Sequence, residues 1–345
     1  MRLRAGLRVL RRTPTEVQVG TDPRWAVRLP DLTRAETELL LGVDPRTDLA
    51  GLDAVAAGVG IDADRVRDIV GTLAAAGLTE DLHPRPLLRG PAAVDADVWS
   101  LLRADADGLG LVRGRADRVV GVLGLGPTGL GVAVGLAAGG VGTVLVDDGG
   151  PVRSTDVGVC GYRWSDVGSV REQVAARLVR DVAPHVATVS DRRPDVVVLV
   201  EARIADPLRG PVLVAGSTAH LSIVVREADT VVGPFVVPGS GPCLRCLDLQ
   251  RADADAAWPS LGEQLRADRV VPAEAGAVSA DCAGIGAAAV LAHLDREPEL
   301  APGATYEVGL PDAIPRRRTW AVHPECGCTA LPASLVGAQG RVTAG

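Results

Sequence analysis

A glycine-rich turn near the middle of the chain constrains the fold more than any other feature. The turn contains Gly124, Gly126 and Gly129, and it directly follows an apolar run at 119–123. A G-x-G-x-x-G pattern between a strand and a helix is typical of a doubly wound α/β sheet, because its glycines let the helix approach the strand closely. The sequence therefore predicts a fold in which parallel strands alternate with helices.

The same turn is a candidate nucleotide site. Asp147 ends the next predicted strand, at the spacing expected for a carboxylate that binds a ribose. A helix N-terminus after such a turn binds pyrophosphate through backbone N–H groups, but Pro127 removes one of these groups. The candidate nucleotide-binding residues are Gly124, Gly126, Gly129 and Asp147. The alternative is a turn that serves packing only.

Apolar runs predict the other elements of this part of the chain. Further strands are expected at 143–146, 196–200, 212–215, 221–226 and 231–237, and near Tyr306 and Trp320. Helices are expected at 129–138, 170–182 and 280–294. The uncharged stretch at 119–146 is long enough for a membrane span, but its glycines fit a strand, turn and helix better, so no membrane association is expected.

Two close pairs of cysteines predict a metal site. Cys243 and Cys246 form the first pair, Cys326 and Cys328 the second, and 79 residues lie between the pairs. Zinc prefers four tetrahedral ligands, and two short cysteine hairpins supply them. A redox disulfide in the first pair and unrelated thiols are the alternatives. Four thiolates close the coordination shell, so we expect structural Zn²⁺ rather than a catalytic site.

The composition argues against several partners. The formal net charge is −7, and aromatic residues make up 2% of the chain. Nucleic-acid binding is therefore not expected, because it needs phosphate contacts and stacking platforms. Arginines at positions 2, 4 and 8 interrupt any apolar stretch at the start. No signal peptide is predicted, and we expect a cytoplasmic protein.

Residues 1–80 have the pattern of a separate small domain. Short strand-like runs at 9, 17–19 and 26–29 precede three helical patterns, the first opened by the capping box of Thr33 and Glu36. Strands followed by three short helices suggest a winged-helix-like module. We expect a linker at 81–117, the α/β domain with its zinc site at 118–330, and a tail at 331–345.

The α/β part resembles the ThiF/MoeB/HesA superfamily, whose members adenylate the C-termini of peptides and ubiquitin-like proteins. The glycine-rich turn, the acidic second strand and the cysteine pairs carry this resemblance, between Val119 and Cys328. The stretch from Cys246 to Pro259 reads Cys-Leu-Asp-Leu-Gln-Arg-Ala-Asp-Ala-Asp-Ala-Ala-Trp-Pro. It is similar to the scaffold subunits of azoline-forming YcaO cyclodehydratases. The resemblance implies a ThiF-like, Rossmann-type domain preceded by a winged-helix peptide clamp.

Residues that adenylation requires in that superfamily are replaced here. Gly158 stands where an arginine would contact ATP phosphates, and Ala202 where an aspartate would hold magnesium. Arg171 is the nearest equivalent of the superfamily's lysine. The resemblance also implies a shortened helix at 204–210, after the third strand. Without these charges the transition state loses its electrostatic stabilisation, so no catalytic residue is expected and ATP is in doubt as a cofactor.

The resemblance implies a non-catalytic scaffold that binds the leader of a ribosomal precursor peptide and presents it to a separate YcaO-type enzyme. The leader would add as a strand at 25–29, beside the helix that starts near Asp62. The expected peptide contacts are Trp25, Val27, Leu29, Arg65 and Arg67. For the first three, ordinary packing of a small sheet is the alternative. An active ATP-dependent adenylyltransferase is the second functional hypothesis, and the superfamily suggests a homodimer.

Overall fold

The structure, a computed structural model, describes residues 1–43, 47–81, 88, 90–268, 270–297 and 300–329. It divides into two compact units, with the boundary between Arg113 and Gly114. The predicted tail at 331–345 lies outside the described residues, as does part of the predicted linker, at 82–87.

The first unit combines short antiparallel strands with helices. The strands are β1 (Arg2–Leu3), β2 (Val9–Thr13), β3 (Glu16–Val19), β4 (Val27–Leu29) and β5 (Thr79–Glu80). The helices are α1 (Arg34–Leu41), α2 (Leu52–Gly58), α3 (Ala63–Ala75) and α4 (Pro91–Leu102), and α5 (Gly108–Arg115) spans the unit boundary. Strands β2, β3 and β4 form one antiparallel sheet in that order, and β1 pairs with β5.

Local sequence signals account for the helices of this unit. The predicted capping box is confirmed: the Glu36 N–H donates to the Thr33 hydroxyl at 3.1 Å, and the Thr33 N–H donates to the Glu36 carboxylate at 2.6 Å. The apolar residues of α3 lie on one face, and Val66, Ile69 and Leu73 are all buried in the core of the unit. Helical spacing therefore places this face inward.

The second unit contains a larger α/β sandwich. Its strands are β6 (Val119–Leu123), β7 (Thr143–Asp147), β8 (Val196–Ala202), β9 (Ala219–Val225), β10 (Asp229–Val236), β11 (Ala304–Gly309) and β12 (Arg316–Thr319). Its helices are α6 (Pro127–Ala138), α7 (Arg171–Val182), α8 (Arg209–Ala215), α9 (Leu244–Ala254), α10 (Trp258–Ala267) and α11 (Gly276–Asp295).

These seven strands form one mixed sheet in the order β12-β11-β10-β9-β8-β6-β7. Strands β7, β6, β8 and β9 are parallel, whereas β10, β11 and β12 pair antiparallel. The parallel half agrees with the predicted alternation of strands and helices. It also brings the carboxyl ends of β6, β7 and β8 to one edge, where ligands bind in such sheets.

Two predicted elements after β8 are wrong. We expected a helix at 204–210 and a strand at 212–215, but one helix, α8, covers Arg209–Ala215. Its buried residues are Gly210 and Val214, four positions apart, while Val212 is 69% exposed. This is helical periodicity, which an apolar run of four residues is too short to reveal.

Helix α11 is a core helix of the second unit. It is long and apolar enough to cross a membrane by length and composition. However, it packs along α6 and against β10, and Val278, Cys282 and Val290 lie in the main apolar core. Small residues let the two helices approach closely, since a Cβ at Gly131 would lie 2.6 Å from the Ala283 side chain.

Candidate functional site

Two glycines of the predicted turn are required by the contact between strand and helix. Gly124 has φ of +90°, and a Cβ there would lie 2.1 Å from the Val200 carbonyl oxygen on β8. A Cβ at Gly129 would lie 1.9 Å from the Gly124 carbonyl oxygen. No side chain fits either position, so both demand glycine whether or not a nucleotide binds.

The first turn of α6, where a pyrophosphate would be expected, already holds a carboxylate. Glu274 accepts hydrogen bonds from the Thr128 N–H at 2.9 Å and from the Thr128 hydroxyl at 2.6 Å. Its other oxygen lies against Gly126, where a Cβ would be 2.4 Å away. Exposed N–H groups and the helix dipole stabilise an anion at this position. Here that anion belongs to the chain itself.

Sequence analysis missed Glu274. The residue lies between α10 and α11, in the segment Pro-Ala-Glu-Ala-Gly at 272–276. This segment has no periodicity and matches no motif, and 146 residues separate Glu274 from Thr128 in sequence. Only the folded sheet brings the two together.

The two acidic residues at the end of β7 have different surroundings. Asp147 is exposed and lines a cavity of about 660 Å³ at the carboxyl ends of the parallel strands. Asp148 accepts hydrogen bonds from the N–H groups of Leu125 and Gly150 and pairs with Arg171 at 3.1 Å. Burial raises the pKa of Asp148, but these contacts outweigh it and hold the pKa below its ordinary value.

Arg171, the nearest equivalent of the superfamily's lysine, is bonded inside the domain. Its guanidinium contacts Asp148 at 3.1 Å and Asp156 at 2.6 Å. The Asp156 side chain is 2% exposed, and that of Arg171 is 11% exposed. The cation is therefore neutralised by two carboxylates rather than presented to a ligand.

Two positions at which the superfamily carries charged residues lack them here, and one of the two, Ala202, lines the cavity beside Asp147. Ala202 is exposed at the end of β8, and the exposed Gly158 has no neighbour within 4 Å of an added Cβ. The adjacent carboxylate, Glu201, accepts the Asp206 N–H at 3.2 Å and pairs with Arg209 at 3.5 Å. Burial raises the pKa of Glu201. Its charge is matched by an arginine of the same domain.

The four predicted metal ligands meet at one point. The sulfur atoms of Cys243, Cys246, Cys326 and Cys328 all lie within 4.8 Å of one another. The Sγ–Sγ distances are 4.0 Å for Cys243–Cys246, 3.6 Å for Cys243–Cys326 and 3.5 Å for Cys246–Cys328. Tetrahedral zinc with bonds of about 2.3 Å requires roughly 3.8 Å between sulfurs. The cluster therefore fits a zinc-sized ion.

Local structure explains how the cysteines are positioned. Cys243 caps the N-terminus of α9 and Cys246 lies in its first turn, where the helix dipole favours thiolates. Burial raises the pKa of Cys246, but hydrogen bonds, above all from the His323 backbone, lower it below its ordinary value. The His323 ring contacts Asp253 of α9 at 2.8 Å. His323 therefore braces the second cysteine hairpin against α9.

The predicted peptide contacts lie in the first unit. Trp25 is half-buried with Arg24 stacked 4.5 Å from its ring, whereas Leu29 is 7% exposed and belongs to the core. Arg65 pairs with Glu36 at 3.1 Å, and Arg67 pairs with Asp64. Among the described residues, β4 is paired on one side only, with β3, so its other side is an open sheet edge.

The seven-stranded mixed sheet, with its glycine turn and cysteine cluster, is a ThiF-like fold. The Escherichia coli protein MccB shares it. MccB bound to ATP superposes with a TM-score of 0.65 at 15% identity, covering 95% of this chain and 99% of MccB. MccB with AMPCPP and MccA gives 0.66 at 15% identity, covering 95% and 98%.

A second protein, PaaA, superposes with a TM-score of 0.66 at 16% identity, over 92% of this chain and 99% of PaaA. No family model matches the sequence, and no curated protein matches it. At such identities the likeness establishes a shared fold, which extends over both units.

Proposed function

We propose that this protein is a non-catalytic scaffold that binds the leader of a ribosomal precursor peptide and presents it to a separate YcaO-type cyclodehydratase. One observation carries the non-catalytic part: the first turn of α6 and the cation of Arg171 both have partners within the chain. Glu274 takes the donors of Thr128, and Asp148 with Asp156 takes Arg171. These donors and this cation are therefore not free to bind and polarise a triphosphate.

The peptide-binding part is supported by the first unit. Residues 1–80 would act as a winged-helix clamp, in which the leader adds to the open edge of β4 and lies beside α3. Arg65 donates a hydrogen bond from α3 to the Asp31 carbonyl just beyond β4, so the start of the helix lies next to the end of that strand. MccB, which shares the fold, has been crystallised with the peptide MccA.

Leader binding is tested by fluorescence anisotropy with a labelled leader peptide encoded beside this gene and the full-length protein. We expect saturable binding that Trp25→Ala weakens by about tenfold or more, because large aromatic anchors dominate such interfaces. Trp164→Ala is the matched control, since Trp164 is 73% exposed in the second unit. Absence of saturable binding by the wild type would contradict the proposal.

The remaining parts of the proposal concern the metal, assembly and location. The four cysteines would hold one structural Zn²⁺ per chain, and the protein would act in the cytoplasm as a homodimer. Metal analysis and light scattering of the purified protein test the first and second of these.

A second candidate function is an ATP-dependent adenylyltransferase, favoured by the match to MccB with ATP over nearly the whole chain. ATP–pyrophosphate exchange in the presence of candidate peptides discriminates between the two. Exchange that disappears in Asp147→Ala would establish this alternative, because Asp147 is the ribose-side carboxylate that still lines the cavity.

A further inference from the structure

A second cavity of the second unit, of about 170 Å³, is lined by three arginines, and we call it the arginine cavity. It lies between the sheet and helices α9 and α10. Its polar lining residues are Arg203, Arg226, Arg251, Ser222, Thr305 and Asp248. Three guanidinium groups thus face one carboxylate among the described lining residues.

Two of these arginines are fixed by acidic residues outside the lining. Arg203 pairs with Asp268 at 3.0 Å and Glu227 at 3.4 Å. Arg226 forms two hydrogen bonds with Asp229 and lies 3.8 Å from Glu307. Both arginine side chains are thereby held in place, so the cavity is preorganised. The charges of these two arginines are therefore balanced within the chain, and Arg251 is the cation left to meet a ligand.

Arg251 is the least satisfied of the three. Its guanidinium lies over the rings of Trp258, at 5.1 Å, and Trp320, at 5.3 Å, and its side chain is 28% exposed. Within the described part of the chain, its one hydrogen bond is to Asp248, at 3.3 Å. Burial lowers the pKa of Arg251, and repulsion from Arg226 adds to this. A largely desolvated cation with one long hydrogen bond is stabilised by a further anion.

A larger, mostly apolar cavity of about 410 Å³ adjoins the arginine cavity. The two share Ile204, Leu244, Asp248 and Trp258, so these side chains form a common wall. The larger cavity is also lined by Leu249, Pro207 and Pro211, which suit an apolar side chain.

We propose that the arginine cavity binds a peptide carboxylate, with a large apolar side chain of the same peptide in the adjoining cavity. The apolar walls of both cavities favour a carboxylate attached to carbon over a fully hydrated phosphate. The proposal rests on the proposed function only in that the ligand is a peptide. It places a second recognition point in the α/β unit, separate from the clamp.

The probes are four small ligands, titrated against the full-length wild type with tryptophan fluorescence as readout: acetyl-Glu-Leu-amide, acetyl-Gln-Leu-amide, acetyl-Glu-Ala-amide and inorganic phosphate. We expect acetyl-Glu-Leu-amide to bind with a Kd on the order of 1 mM. The glutamine and alanine peptides should bind at least about fivefold more weakly, since each lacks one of the two contacts. Equal binding of the Glu-Leu and Gln-Leu peptides, binding by neither, or tighter binding of phosphate would overturn the proposal.

Variants locate the site. Arg251→Gln should weaken acetyl-Glu-Leu-amide by about tenfold, as expected for loss of a charge-assisted hydrogen bond. Arg317→Gln, on the exposed edge strand β12, is the control with the same change of charge and should bind like the wild type. If Arg251→Gln does not fold, the comparison of the Glu-Leu and Gln-Leu peptides on the wild type still tests the proposal. Trp25→Ala should bind the dipeptide normally while losing the leader, which separates failure of this inference from failure of the proposed function.

Discussion

The glycine turn and the cysteine cluster are both predicted by motifs, yet the folded chain treats them differently. At the turn, the expected ligand position is filled by Glu274, and the neighbouring charges are paired with one another. At the cluster, four sulfurs converge at distances that suit a metal. A motif can therefore preserve geometry for packing alone. Four converging cysteines have no comparable packing requirement, and as thiolates they would repel one another unless a cation joined them.

The largest effect in this comparison is expected at the cysteine cluster. Cys243→Ser should abolish stoichiometric metal binding and cost about 5 kcal/mol or more of unfolding free energy, since metal binding at such sites is part of the folding free energy. Metal analysis and chemical denaturation measure both. Cys160→Ser, at a cysteine outside the cluster, should keep the metal. A wild type that contains no metal and is no more stable than Cys243→Ser would show that the cluster does not differ from the glycine turn in binding a ligand.

Gly124→Ala is expected to be nearly as damaging, although no ligand is involved. A Cβ would meet the Val200 carbonyl oxygen at 2.1 Å, and φ is +90°, so unfolding free energy should fall by at least about 3 kcal/mol. Gly158→Ala is the control in open space and should change stability by less than about 0.5 kcal/mol. Similar stabilities of the two variants in thermal denaturation would show that the turn is not under packing constraint.

Glu274→Ala sharpens the comparison by emptying the anion position of α6. Loss of the cap should cost about 1–2 kcal/mol, because the Thr128 N–H loses its acceptor. Added pyrophosphate should then raise the melting temperature of the variant more than that of the wild type. Glu172→Ala, an exposed acid in the first turn of α7, is the control. An unchanged response to pyrophosphate would mean that Glu274 does not exclude anions.

The smallest effect concerns acid stability. The pKa of Asp148 is held below its ordinary value, so its contribution to stability is complete above the unfolded value, about 3.9, and is lost as pH falls through the folded pKa. In Asp148→Asn, unfolding free energy should decline less steeply with acidification. Urea titrations from about pH 6 to pH 3 check this. Parallel declines in the two proteins would assign the acid sensitivity to other groups.

Much of the fold follows from the sequence, because local signals and tertiary structure agree there. The capping box at Thr33, the strand before Gly124 and the apolar face of α3 all combine a strong local pattern with burial. The strand predicted at 212–215 was wrong because four apolar residues are too few to show a period. Whether they form a strand or a helix depended on which of them the sheet could bury.

The candidate site was predictable only in part, for a similar reason. The spacing of the four cysteines predicts their cluster, but Glu274 and Trp320 carry no local pattern. Their importance comes from neighbours that are distant in sequence. Glu274 accepts a hydrogen bond from the Thr128 hydroxyl, and the Trp320 indole N–H donates to the Thr305 hydroxyl at 3.1 Å. Reading a sequence segment by segment cannot find such pairs.

The separation of the two cysteine pairs has a consequence for the newly made chain. Because 79 residues lie between Cys246 and Cys326, the first pair leaves the ribosome well before the second exists. At a synthesis rate of about 5–20 residues per second, that interval is roughly 4–16 s. Two thiols alone cannot complete a tetrahedral site, so the first pair depends on a reducing environment during this time. A metal ion held by all four cysteines could therefore bind only after Cys326 and Cys328 have been made.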